Sequence, residues 1–323
     1  MWKLNSRERS SANFRDVIDD LAEQWKTNGW VVAEGLVSAE EVGAALAEIR
    51  PRDEIETQIT TVIPRADQPS DLGRFRVKQF DGTTLFPYPD APQLNRLFVH
   101  PAIVDFAKAV LKTDDLRIYQ ARVWSKYGEH TNYEQPHHLD RNHSLVPVRQ
   151  GPGWGHLECF LYLHDVSADT GAPRAVPATV AGRSGMGVGE GLGGSGTSQG
   201  PASREDAPHL YDGEISAAGP AGSLFAYRSD VWHRGVDIPI GVERHVVAVS
   251  FRPAHVSWIN FDAQGPLVTR PDFVAFAETC TPEELALFDV PLPGHEFWTA
   301  EVLDAMQRIY PRLDLEPWWN ALG

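Results

Sequence analysis

Apolar positions in the first third of the chain recur at helical spacing. Phe14, Val17, Ile18, Leu21 and Trp25 share one face and stop at Asn28-Gly29, which predicts an amphipathic helix feeding a strand at Trp30-Val31-Val32. Ser38 with Glu41 three residues on has the form of a capping box, and Val42, Ala45, Leu46 and Ile49 form the buried stripe of the helix it opens. Pro101 suits the first turn of a further helix through Leu111. From Leu116 to about Pro253 the pattern changes to short alternating or wholly apolar runs broken by Gly, Pro, Asn and Asp, which predicts antiparallel β-structure. After residue 260 helical signals return: Thr281-Pro-Glu-Glu opens one helix, and another runs from Phe297 to Ile309 before Pro311.

This order of elements predicts a mainly β fold with flanking helices, its core a double-stranded β-helix of the jelly-roll, cupin-like kind, whose taper can hold a metal and a ligand between two sheets. The chain reads as one domain, residues 1–323. Residues 1–115 are mainly helical, 116–255 form the jelly roll, and 256–323 are a helical extension in which Trp298, Trp318 and Trp319 are expected to pack against the barrel. Residues 182–200 hold nine glycines and almost no large apolar side chain, so a loop is expected there, a candidate lid. Within it, Gly189-Glu-Gly-Leu-Gly-Gly194 matches the dinucleotide-binding pattern by composition only, since no strand leads into it and no helix follows.

Composition narrows the function. A net charge of −15, from 44 acidic against 29 basic residues without a basic cluster, disfavours nucleic acid and anionic membrane surfaces. Only Cys159 and Cys280 are present, which offers no disulfide framework and no thiolate zinc site. The polar opening and the lack of an apolar run long enough to cross a bilayer predict a cytoplasmic protein acting on a small molecule, with oligomeric state left open.

Candidate chemistry gathers at three places. His138 and Asp140 lie two residues apart in Gln135-Pro-His-His-Leu-Asp140, a spacing that puts both side chains on one side of an extended segment. His233 ends the run Phe225-Ala-Tyr-Arg-Ser-Asp-Val-Trp-His233, and Arg244 follows 11 residues later (244 − 233) at the head of a strand that places Arg244, Val246, Ala248 and Ser250 on one face. Two imidazoles and one carboxylate suit Fe(II) with open positions for oxygen and a chelating acid. They also suit a zinc hydrolase, or a binding barrel that keeps the ligand set without turnover. Arg244 favours the first, because a guanidinium fork fits the distal carboxylate of 2-oxoglutarate. His156 and Glu158 form a rival pair at the same two-residue step, read as substrate-facing or as neighbours of the metal site. His137 and His143 lack the parity of His138 and are expected to flank it in loops.

With these residues in place, the chain resembles the phytanoyl-CoA dioxygenase family of Fe(II)/2-oxoglutarate oxygenases over roughly residues 13 to 253. The resemblance rests on the opening Asn28-Gly-Trp-Val-Val-Ala-Glu-Gly-Leu-Val-Ser-Ala-Glu-Glu41, the His-x-Asp pair, Thr170-Gly-Ala-Pro-Arg-Ala-Val-Pro177, and the distal His with its Arg. It departs at Leu139, where members commonly carry Gln, and at Pro177-Ala-Thr-Val, where they carry Pro-Gly-Ser-His. The likeness implies a dioxygenase that turns 2-oxoglutarate and O2 into succinate and CO2 while oxidising, most commonly hydroxylating, a substrate C–H bond, as in secondary metabolism. Asp140 argues against the halogenating branch, which has Gly or Ala there. Ectoine hydroxylases in the family carry a Gln-Ser-Arg stretch at Gln120-Ala-Arg122, so the likeness implies that Gln120 also meets 2-oxoglutarate. Arg122, Trp124, Tyr133, Arg141 and Trp232 are further candidates to line the substrate pocket.

Overall fold

The computed structural model describes residues 12–49, 86–88, 90–128, 134–140, 154–181, 203–205, 207–256 and 271–322. The predicted loop at 182–200, together with Tyr133, Arg141 and His143, lies outside the described residues. In chain order the elements are α1 (Ala12–Asn28), β1 (Trp30–Ala33), α2 (Ala39–Ala47), α3 (Pro92–Leu97), α4 (Pro101–Leu111), β2 (Leu116–Tyr127), β3 (Leu157–Tyr162) and β4 (Arg174–Ala175). They continue with α5 (Ala178–Ala181), α6 (Pro208–Asp212), β5 (Ile215–Ser216), β6 (Leu224–Arg228), β7 (His233–Arg234), β8 (Glu243–Pro253), α7 (Pro271–Ala277), α8 (Pro282–Ala286), α9 (Ala300–Ile309) and α10 (Glu316–Asn320). No described helix is long and apolar enough to cross a membrane.

The capping boxes form where the sequence places them: Ser38 and Glu41 cap each other at the head of α2, and Thr281 and Glu284 do so at α8. The helix expected from Phe297 starts three residues later. Thr299 caps α9 by accepting from Val302 N, while the Trp298 indole donates to the carbonyls of Pro291 and Leu292 outside the helix.

The described strands form a five-stranded sheet in the order β1-β6-β3-β8-β2 and a three-stranded sheet in the order β5-β4-β7, with all described pairings antiparallel. Period-two alternation decides what each face of the larger sheet meets. Val31, Ala33, Ala121, Val123, Cys159, Leu161, Ala226, Val247 and Val249 turn outward into the main core with Ile18, Ala22 and Trp25 of α1 and Phe106, Ala107 and Val110 of α4. Phe160, Tyr162, Phe225, Tyr227, Val246 and Ala248 turn inward against Val166, Ala172, Ala175 and Ala217 of the smaller sheet and its loops. The two sheets and their inner layer make the jelly-roll core, and polar inward positions are therefore candidates for function rather than packing.

Candidate active site

The smaller sheet continues through an isolated antiparallel bridge between His138 and His233. His138 N donates to His233 O at 2.9 Å, and His233 N donates to His138 O at 3.1 Å, so the two imidazoles start from directly opposed backbone positions. Their ring centroids are 4.4 Å apart. Each Nδ1 faces a carbonyl two residues upstream, Pro136 O for His138 at 3.1 Å and Val231 O for His233 at 3.0 Å. A carbonyl accepts only, so both Nδ1 atoms carry the proton and both Nε2 lone pairs face away from it. Asp140 supplies the third group: Oδ1 is 3.8 Å from His138 Nε2 and Oδ2 is 3.3 Å from His233 Nε2. One ligand atom from each residue lies within 4.8 Å of the others, a spacing that can hold a metal ion.

Tyr227 backs this cluster. Its hydroxyl donates to Asp140 Oδ2 at 2.8 Å, and its ring packs on His233 at 4.5 Å. Burial, then the carboxylates of Asp140 and Glu158, push the Tyr227 phenol well above its ordinary value, so it stays a donor. Burial lowers the His233 imidazole, but Asp140 outweighs it and leaves the group raised.

A cavity of about 650 Å³, including its open mouth, reaches the triad and is lined on the larger sheet by Trp124, Lys126, Phe160, Tyr227 and Arg244. Lys126 and Arg244 are direct cross-strand partners on β2 and β8. Both are buried, and each is anchored on a backbone carbonyl, Lys126 on Val236 O and Arg244 on Gly171 O. Burial, then the neighbouring Arg244 charge, drive the Lys126 ammonium well below its ordinary value. The side-by-side placement of Lys126 and Arg244 on the cavity wall sets a guanidinium fork beside a terminal amine. Lys126 is absent from the sequence reading, although it shares the parity of Gln120, Arg122 and Trp124; continuing the alternation two residues further finds it.

The other predicted residues divide. Trp124 lines the cavity. Gln120 pairs with Ser250, six residues along β2 from Lys126, which at about 3.3 Å per residue is roughly 20 Å along the strand. Gln120 lies in a row with Glu158. Ser250 Oγ lies 3.1 Å from Gln120 Oε1 and also donates to Glu158 Oε2, and Tyr119 donates to Glu158 Oε1. His156 is buried beside them, 3.9 Å from Glu158 Oε1 and edge-on to Tyr119. This row faces inward next to Tyr227, the cross-strand partner of Glu158. Arg122 is half-buried on the same face of β2, and burial lowers its guanidinium. Trp232 is turned away: it packs with Leu139, Val176, Ala207 and Leu210 on the side opposite His233, as alternation requires. His137 is not a loop residue. It is fully buried, with Nε2 on Glu214 Oε2 at 2.9 Å, because it directly precedes the bridged His138 and its side chain falls on the outer face.

The sequence model of the phytanoyl-CoA dioxygenase (PhyH) family matches residues 25–237. Among solved structures, the epimerase SnoN, in complex with Fe3+, alpha ketoglutarate and nogalamycin RO, has a TM-score of 0.51 at 16% identity, over 74% of this chain and 85% of that one. The alpha ketoglutarate-dependent carbocyclase SnoK has a TM-score of 0.48 at 17% identity, over 74% and 89%. At such identities the SnoN likeness speaks for the fold alone. No curated protein sequence matches the chain significantly. The family match spans well over half of the sequence and includes the His138–Asp140 pair and His233, and the chain therefore belongs to the phytanoyl-CoA dioxygenase family of Fe(II)/2-oxoglutarate-dependent oxygenases.

Proposed function

We propose that His138, Asp140 and His233 hold Fe(II), that Arg244 and Lys126 take the distal carboxylate of 2-oxoglutarate, and that the enzyme hydroxylates a C–H bond of a small molecule with an apolar, partly aromatic body. One observation carries the reading: two proton-fixed imidazoles and a carboxylate converge at a cavity that the buried Lys126 and Arg244 also line. When bound, iron and 2-oxoglutarate supply the oxidising power, with O2 consumed and succinate and CO2 released. The protein positions the groups and excludes water. Tyr227 keeps one oxygen of Asp140 in a hydrogen bond and so favours single-oxygen ligation through the other. Lys126, anchored on Val236 O, adds a second hydrogen-bond donor beside the guanidinium that meets the acid.

Trp124 and Phe160, with centroids 5.3 Å apart, give the cavity an aromatic wall beside Tyr227. That wall suits a flat or apolar substrate, in keeping with nogalamycin RO in SnoN. The names of SnoN and SnoK also allow epimerisation or ring closure on the same scaffold. The two cysteines, both buried and unpaired, suit the reducing cytoplasm. The test is anaerobic addition of Fe(II) and 2-oxoglutarate. A visible metal-to-ligand charge-transfer band is expected, and a protein that binds zinc but never develops this band removes the oxygenase reading. Succinate release across candidate aromatic metabolites, with a product that gains one oxygen atom, then separates hydroxylation from the other outcomes.

A further inference from the structure

The bridge that carries the two imidazoles has a second face. Opposite residues in this antiparallel pair are His138 with His233 on the inner face and His137 with Arg234 on the outer one. Glu214, just before β5, reaches the outer pair. Its Oε2 accepts from Arg234 Nε at 2.7 Å and meets His137 Nε2 at 2.9 Å, while Oε1 accepts from Arg234 Nη2 at 2.8 Å. Tyr211 closes the cluster, edge-on to His137 at 4.7 Å and under the Arg234 guanidinium at 5.2 Å. Glu134 takes the remaining arm of Arg234.

We propose that Glu214 is a positioning residue of the iron site, a claim that rests on the reading of His138 and His233 as ligands. One carboxylate ties the residue before the first imidazole to the residue after the second. The backbone bridge and Glu214 together fix the separation of the two Nε2 atoms before any metal arrives. Its arrangement is economical: Arg234 offers a fork that only a carboxylate fills with two bonds, and the same Oε2 still reaches the buried His137. A neutral amide at 214 keeps the volume but surrenders one of these contacts, since half of its polar atoms donate. The two ligand-bearing segments then lose a common partner on the face away from the metal.

Outlying partners of metal ligands alter affinity about 10–100-fold when removed. Anaerobic titration of Fe(II) into protein saturated with 2-oxoglutarate, read by the charge-transfer band, should show an apparent Kd at least about tenfold weaker for Glu214→Gln. Arg96→Ala, which breaks the remote pair with Glu284, should lower Tm yet leave the Fe(II) midpoint unchanged. If Glu214→Gln does not fold, Glu214→Asp, too short to span both partners, takes its place. A wild-type-like midpoint in the Glu214 variant overturns the proposal. So does a weakening in Arg96→Ala as large as that in the Glu214 variant, because it traces the loss to general stability. A wild type that gives no band at all removes the iron reading itself, and the brace with it, before any variant is compared.

Discussion

At the scale of single residues, the site is set by which atom of each side chain is already committed. Both imidazoles spend Nδ1 on a backbone carbonyl, and Asp140 spends Oδ2 on Tyr227, so the atoms left over are those a metal needs. Tyr227→Phe removes one hydroxyl and little volume. It should weaken Fe(II) binding or turnover about 10–100-fold, and equal metal titrations for the two proteins would show that Asp140 needs no such support. Asp140→Ala should abolish turnover, with substrate-dependent succinate release as the measurement. Arg244→Ala should raise the 2-oxoglutarate requirement about 10–100-fold, the value of a charged hydrogen-bonded pair of roughly 1.5–3 kcal/mol. Lys126→Met should raise it less while Arg244 remains, and a 2-oxoglutarate Kd unaffected by both changes would move the acid elsewhere. His138, Asp140 and His233 stand out in the sequence because ligand chemistry restricts residue type and spacing. Lys126 and Tyr227 do not, since a lysine or tyrosine on a strand is ordinary until its neighbours across the sheet are known.

At the scale of elements, short-range signals and long-range pairing divide the legibility of the fold. Caps and turns are written within four residues of sequence, and α2 and α8 start where Ser38 and Thr281 say they do. Inward and outward faces of β2 and β8 follow from alternation, so the row Gln120-Arg122-Trp124 could be read in advance. That Gln120 lies about 20 Å along the strand from the partner of Arg244 could not, because it depends on the register Gln120↔Ser250 and Lys126↔Arg244. His137 shows the same limit: its parity is plain, but its partner Glu214 is 77 residues away. One turn links local geometry to the acid site. Gly171 sits at φ +84°, where a Cβ would come within 2.3 Å of the Ile238 side chain, and its carbonyl anchors Arg244. Gly171→Ala must shift this turn and with it the guanidinium. A weakened 2-oxoglutarate Kd is therefore expected, with a smaller effect on Fe(II) binding alone. Loss of stability with wild-type 2-oxoglutarate affinity would show that Arg244 holds its place without this anchor.

At the scale of the whole molecule, buried ionisable groups tie stability to pH. The helical extension is fastened by Arg96 to Glu284 and by Arg117 to Asp289. His245 behaves differently. It is buried on β8, with Nδ1 at 2.7 Å from Ser125 Oγ, near His164 and Tyr127, and 3.6 Å from Glu243. Burial, helped by His164 and Arg244 and opposed by Glu243, lowers its imidazole from 6.5 to about 4. The sign follows from where the proton goes. Above about pH 6.5 neither the folded nor the unfolded chain protonates this group, and its contribution to stability is complete. As pH falls from 6.5 toward 4 the unfolded chain takes up a proton that the folded one refuses, so stability drops at up to about 1.4 kcal/mol per pH unit. His137, also lowered to about 4 chiefly by burial, adds to the slope in the same direction. Urea midpoints of the metal-free protein should therefore decline steadily from pH 6.5 to 4.5. His245→Asn, whose amide can keep the contact with Ser125, should remove part of that decline while leaving the midpoint near pH 7.5 less affected. A flat profile in the wild type, or a variant with an undiminished slope, would mean that His245 takes up its proton without unfolding the sheet around it.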